Sequence, residues 1–201
     1  MTKKNQNDEL VFLPLGGSNE VGMNLNAYGF GPAHDRKWII VDVGVTFGDQ
    51  STPGVDVIVP DPTFLEGENI LGIVLTHAHE DHIGALGWLW PRIQAPLYAT
   101  PFTAFLIREK LRDAGIMQDV ELHEAPLGST VNLGPFEVTY VTITHSIAEP
   151  NGLAIRTPLG TVLHTGAWKI DNAPAVAERT DVDCIQKLGD EGVLAMVCDS
   201  T

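Results

Sequence analysis

Seven consecutive residues, Thr76-His77-Ala78-His79-Glu80-Asp81-His82, carry three imidazoles and two carboxylates directly after the apolar run Ile73-Val74-Leu75. A short apolar run of this kind forms a buried strand, so the polar cluster leaves a strand's end. As core it would be costly, because each buried polar group needs its own partner. As a divalent-metal site it is well suited, since imidazole is the commonest nitrogen ligand for zinc. On a loop leaving a strand, His77 and His79 can turn to one side while Asp81 and His82, entering the next helix, face a second point nearby. That spacing serves two cations, and a functionless surface cluster of this density is the weaker reading.

With 201 residues, 44% of them hydrophobic, the chain can bury a core and fits a single domain. No run approaches about 18 uncharged apolar residues, and residues 1–9 lack the apolar stretch of a signal peptide. The expectation is a cytoplasmic protein with no membrane contact. Cys184 and Cys198 fit no C-x-x-C pattern and read as small buried residues of a reducing compartment. A formal charge of −14 argues against nucleic acid held by surface charge alone. Bound cations would supply positive charge locally instead.

Along the chain, residues 1–8 read as a disordered start, followed by an apolar strand over 10–15 that Gly16-Gly17 turns. Strands are expected at 24–30 and 37–43, joined by a turn-rich loop containing His34. Asp42 ends the second of these, where an ionised carboxylate needs a donor or a positive partner. Residues 48–68 form a long connection with a short extended piece at 57–59. Helical spacing over 83–90 closes at Pro91, and 96–99 and 101–114 make a further strand and helix, an α/β pattern. Short strands then dominate, at 120–123, 130–133, 136–144, 152–156 and 161–164. Thr180 or Asp181 caps a short helix running through 183–188, and 193–197 is a last strand. His145 ends the strand over 136–144, whereas His123, between Glu121 and Glu124, reads as exposed.

The pattern His77-x-His79-x-Asp81-His82 resembles the metal-binding signature of the metallo-β-lactamase superfamily. Residues 13–24, 54–61, 76–84 and 145–147 together look like the ribonuclease J family of its β-CASP branch. The resemblance runs from about residue 9 to residue 201. It implies an α/β fold, the first portion of an αββα sandwich of mixed sheets flanked by helices over residues 9–201, ending where a β-CASP domain would be inserted. It implies a zinc-dependent ribonuclease that hydrolyses RNA phosphodiesters, as a 5′-to-3′ exonuclease and as an endonuclease, in RNA decay and maturation. Two Zn2+ ions are expected, with Mn2+ or Mg2+ as substitutes. His77, His79 and His145 would hold one, and Asp81 and His82 the other. Asp81 and His79 would serve catalysis, with Asp81 orienting the attacking water. Asp42 and His164 would support the ligands without touching a metal. The implied partners are RNA, further copies of the chain in the full-length protein, and the β-CASP and C-terminal segments that the family carries beyond this point.

The sequence departs from the family at its fourth motif. The segment His164-Thr165-Gly166-Ala167-Trp168-Lys169 has alanine where the family places an aspartate that bridges both metals. Ala167 is thus a lost ligand position, and activity is expected to be impaired. Two other readings compete. One is a small-molecule hydrolase of esters, thioesters or lactams on the same motif, which the nuclease-like context around Gly16-Gly17 and Asp199-Ser200-Thr201 disfavours. The other is an inactive RNA-binding or assembly module, for which Ala167 speaks.

Overall fold

A computed structural model describes residues 7–176 and 178–199. The expected disordered start falls outside this range except for Asn7 and Asp8, as do Ser200 and Thr201 of the ending. In chain order the strands and helices are β1 (Glu9–Gly16), β2 (Leu25–Gly31), β3 (Lys37–Val41), β4 (Thr46–Phe47), β5 (Val57–Ile58) and β6 (Asn69–Val74), then α1 (Glu80–Ile83) and α2 (Leu86–Ile93). There follow β7 (Leu97–Ala99), α3 (Pro101–Asp113), β8 (Leu122–Glu124), β9 (Thr130–Leu133), β10 (Phe136–Thr142), β11 (Asn151–Thr157), β12 (Gly160–His164), α4 (Val182–Glu191) and β13 (Ala195–Val197).

Two mixed sheets result. The first runs β1-β2-β3-β6-β7-β8 and the second β13-β12-β11-β10-β9. In the first, β1, β2 and β3 are antiparallel neighbours, while β3–β6, β6–β7 and β7–β8 are parallel. In the second, only β12–β13 is parallel.

Strand alternation builds the layers. On β3, Trp38 and Ile40 join a core beneath α1, α2 and α3, while Ile39 and Val41 join a core shared by the two sheets. On β11, Leu153 and Ile155 enter that shared core, and Ala154 faces outward to Leu188 of α4. The order helix, sheet, sheet, helix is the expected sandwich, with α4 the single helix on its second outer face among the described residues.

Three expectations need correction. Pro91 lies inside α2, which continues to Ile93 and closes at Gln94, in the left-handed conformation, whose N–H bonds the Trp90 carbonyl. A proline inside a helix removes one backbone N–H and crowds the turn before it, a cost offset here by the burial of Leu86, Leu89, Trp90 and Ile93 on the helix's apolar side. The strand expected to run to residue 43 stops at Val41, because Asp42 takes a φ of 62° and turns the chain. The cysteines are free and not fully buried: Cys184, on α4, is half-buried, and Cys198, directly after the edge strand β13, is exposed.

Candidate metal centre

The site lies where β3 and β6 end side by side, with Val41 paired to Val74. Asp42, fully buried, turns its carboxylate across this end. Oδ1 accepts from the Thr76 N–H at 2.8 Å, and Oδ2 accepts from the Thr76 hydroxyl at 2.8 Å and from His82 Nδ1 at 2.7 Å. A side chain in the left-handed region costs roughly 1–2 kcal/mol, and these charge-assisted bonds offset it.

Asp42 thereby sets two imidazoles. With Nδ1 given to Asp42, His82 presents Nε2 to the cluster beyond. The Thr76 hydroxyl hydrogen is committed to Asp42, so its oxygen accepts from His77 Nδ1 at 3.0 Å, and His77 presents Nε2 as a lone pair. Orienting a ligand imidazole through its other nitrogen is what a supporting carboxylate can do.

His77 Nε2 lies 3.1 Å from His79 Nδ1, and His145 Nε2 lies 3.2 Å from the same atom. Four nitrogens placed tetrahedrally about 2.0–2.1 Å from a zinc ion stand about 3.3 Å apart, so both separations from His79 match such a site, and the ligand atoms of all three imidazoles lie within 4.8 Å of one another. Burial first, then the neighbouring imidazoles His82, His79 and His145, hold His77 well below its usual range. Burial likewise lowers His79 and His145. All three are held in the neutral form that binds metals.

A second cluster adjoins the first, with the rings of His77 and His82 centred 4.0 Å apart. It joins His82 Nε2 to Asp81 Oδ2 at 3.4 Å and to Asp199 Oδ2 at 3.4 Å. Burial opposes charge on His82, but Asp42, Asp199 and Asp81 outweigh it and hold the imidazole well above its ordinary value. Burial also opposes charge on Asp81, and the hydrogen bond with His82 overcomes it and lowers that carboxyl. Each cluster has ligand atoms within 4.8 Å of one another, and both suit a cation.

The turn carrying Asp81 and His82 is clamped from behind. Val43 N–H bonds the His82 carbonyl at 2.7 Å, Val45 N–H that of Glu80 at 3.0 Å, and Asn24 N–H that of Asp81 at 3.0 Å. Gly44 permits this approach, since a Cβ there would lie 1.6 Å from the Asp81 carbonyl oxygen.

Asp199 was not singled out from sequence as a ligand. It follows β13, whose parallel pairing with β12 carries it across to His82 of the other sheet. The available signal was the one Asp42 shows, a carboxylate just past an apolar strand. His164 joins neither cluster. Its Nδ1 lies 2.9 Å from the Tyr28 hydroxyl, and burial pushes its pKa down to about 4. His34 is exposed, and His123 pairs with Glu121 at 2.9 Å.

A pH effect follows from His164. Unfolded, it takes a proton near its ordinary value of about 6.5, which the folded chain refuses until about pH 4. Its contribution to stability is therefore whole above about pH 6.5 and is lost as pH falls toward 4. Urea denaturation at pH 7 and pH 4 should show a loss about 3 kcal/mol larger for the wild type than for His164→Gln. Equal losses would mean that His164 protonates freely in the fold.

Ala167 is 2% exposed, and its flanks tie it to both halves of the tripod. Gly166, at a φ of 57°, packs its Cα side against the Thr76 side chain next to His77. Lys169 N–H bonds the Thr144 carbonyl at 2.8 Å, next to His145.

Residues 26–166 match the metallo-β-lactamase superfamily. Over 198 residues the chain is 50% identical to ribonuclease J of Sinorhizobium meliloti, covering 98% of this chain and 35% of that protein. It is 38% identical over 205 residues to ribonuclease J of Synechocystis, covering 100% and 31%. The chain thus spans about a third of the length of the curated relatives it matches. Among solved structures, the metallo-beta-lactamase fold protein YhfI from Bacillus subtilis aligns with a TM-score of 0.57 at 16% identity, over 83% of this chain and 65% of that one, a likeness of fold alone. With paired sheets between helices, two donor clusters at the strand ends and a match across most of its length, the chain belongs to the metallo-β-lactamase superfamily and within it is similar to ribonuclease J.

Proposed function

We propose that this chain is the first portion of the catalytic domain of a zinc-dependent ribonuclease of the ribonuclease J type, which hydrolyses RNA phosphodiesters from the 5′ end and internally. The observation that carries the reading is the pair of adjacent donor clusters organised by Asp42, in a chain 50% identical to a ribonuclease J. His77, His79 and His145 would hold one cation, with zinc favoured by three imidazoles. Asp81, His82 and Asp199 would hold the other, a more oxygen-rich set that also suits Mn2+. Bound there, divalent cations supply positive charge that lowers the pKa of water and offsets charge developing on a phosphoryl group.

The protein's own part is orientation. Asp42 fixes His82 directly and His77 through Thr76. The clamp on Glu80, Asp81 and His82 holds Asp81 at the cluster's margin, 28% exposed at its side chain, where it can accept a proton from a water and aim it. In this reading Ala167 leaves the tripod intact and the second cluster short of a ligand. A β-CASP domain following residue 201, self-association of the full-length protein and a cytoplasmic setting belong to the same reading. Among the described residues no helix is long and apolar enough to cross a membrane.

Elemental analysis of protein purified without chelator should find close to one zinc per chain. Labelled RNA should be cut slowly and in a metal-dependent way, with a β-lactam and a thioester left intact. A folded chain that takes up no zinc would overturn the tripod. Turnover of the lactam or thioester in place of RNA would establish the small-molecule hydrolase instead, and binding of RNA without any cleavage the inactive module.

A further inference from the structure

Beside the second cluster, a groove of about 560 Å3 opens between β1 of the first sheet and β13 of the second, within the usual size range of small-molecule sites, roughly 300–1,000 Å3. Asp199, Asn24, Phe12, Asn26 and His164 are among the residues that line it. Asn24 Nδ2 lies 3.4 Å from His82 Nε2, so the groove leads from the candidate metal centre.

Asn26 breaks the logic of its strand. On β2 it shares a face with Tyr28 and Phe30, both part of the core between the sheets, and an apolar side chain there would extend that core. Asn26 as a residue is 6% exposed, and its amide, which makes no side-chain hydrogen bond among the described residues, opens into the groove and is not sealed from it. An amide so placed keeps its donors and acceptor free for whatever occupies the groove.

No lysine or arginine lines the groove, whereas Glu20 and Asp199 do, so a phosphate is a poor occupant. Asparagine amides, which both donate and accept, beside an aromatic ring are instead the groups that read and stack an unpaired base. Phe12 is 40% exposed, and its ring is held from behind by Tyr28 at a centroid distance of 5.1 Å.

We propose that this groove is a nucleobase subsite, in which Asn26 hydrogen-bonds the edge of an RNA base adjoining the scissile phosphate and Phe12 forms its stacking wall. The proposal rests on the ribonuclease reading above and assigns the place of one nucleotide. The test uses the zinc-loaded chain and a short fluorescent RNA, with a matched set in which each position in turn is abasic. Wild type should bind the intact RNA about tenfold more tightly than one particular abasic version, a stacking-sized effect. Asn26→Ala and Phe12→Ala should each weaken the intact RNA several-fold and leave that abasic version unchanged, at unaltered zinc content and circular dichroism. The Asn26 side chain makes no hydrogen bond among the described residues and Phe12 is partly exposed, so two independent variants keep the test open should one fail to fold. RNA binding with no base-dependent position, or equal loss for intact and abasic RNA in the variants, overturns the subsite alone. Zinc uptake with no RNA binding at all overturns the ribonuclease reading and the subsite with it.

Discussion

Ala167→Asp should raise the metal content of the chain from near one toward two ions and raise RNA hydrolysis with it. Ala167 is buried between two anchors, Gly166 against Thr76 and Lys169 on Thr144, and a carboxylate at this point would stand beside the loop that bears both clusters. Losing a residue that merely orients a ligand typically costs about 10–100-fold in metal affinity or activity, so gaining a ligand shared by two cations should return at least that. The same substitution carries a second readout. Without metal, a carboxylate buried at position 167 loses its hydration with no cation to replace it, so the metal-free variant should be less stable than the wild type, and cations should reverse the order. Cleavage of 5′-monophosphorylated RNA at matched zinc and manganese, elemental analysis, and urea denaturation with and without metal measure all three. Equal rates, equal metal content and equal stability would place Ala167 away from the centre.

Asp42→Ala should cost about 3–5 kcal/mol of stability in the metal-free chain, the range found when one partner of a buried charged pair is removed. Three donors lose their acceptor at once: the Thr76 N–H, the Thr76 hydroxyl and His82 Nδ1. His82, buried to 1% exposure, would then have Asp81 and Asp199 as its carboxylate neighbours. Asp42→Asn should cost less, because its carbonyl still accepts from Thr76 and asparagine tolerates the left-handed backbone that Asp42 adopts. Urea denaturation of the three proteins gives the ranking. A loss below about 1 kcal/mol for Asp42→Ala, no more than an ordinary hydrogen bond, would show that the network does not hold the loop.

Much of the site was legible because it is local. His77, His79, Asp81 and His82 fall within six residues at a strand's end, so their spacing alone forces them to two neighbouring points, and the structure brings them there. Residues that pair strands by alternation were equally visible, as at 130–133, which forms β9 with the expected limits. Ends were less so. Pro91 looked like a stop and is not one, because the packing of the apolar side of this helix of 8 residues offsets the lost hydrogen bond.

What the sequence determined by itself is therefore the chemistry and its local spacing: a histidine-rich loop after a buried strand, a carboxylate at Asp42 that had to find donors, and an alanine at 167 with nothing to offer a metal. The tertiary structure alone decided which groups meet. Asp42 reaches His82 and Thr76 because β3 and β6 end in parallel register. His145 arrives from the second sheet to close the tripod. Asp199 joins His82 across 117 positions of chain only because β13 pairs with β12. His164, which looked like a supporter of the metal ligands, is claimed by Tyr28 instead. Ligand type is a property of one residue and loop spacing a property of a few, but a contact between sheets depends on the packing of every side chain between them, and no local pattern records that.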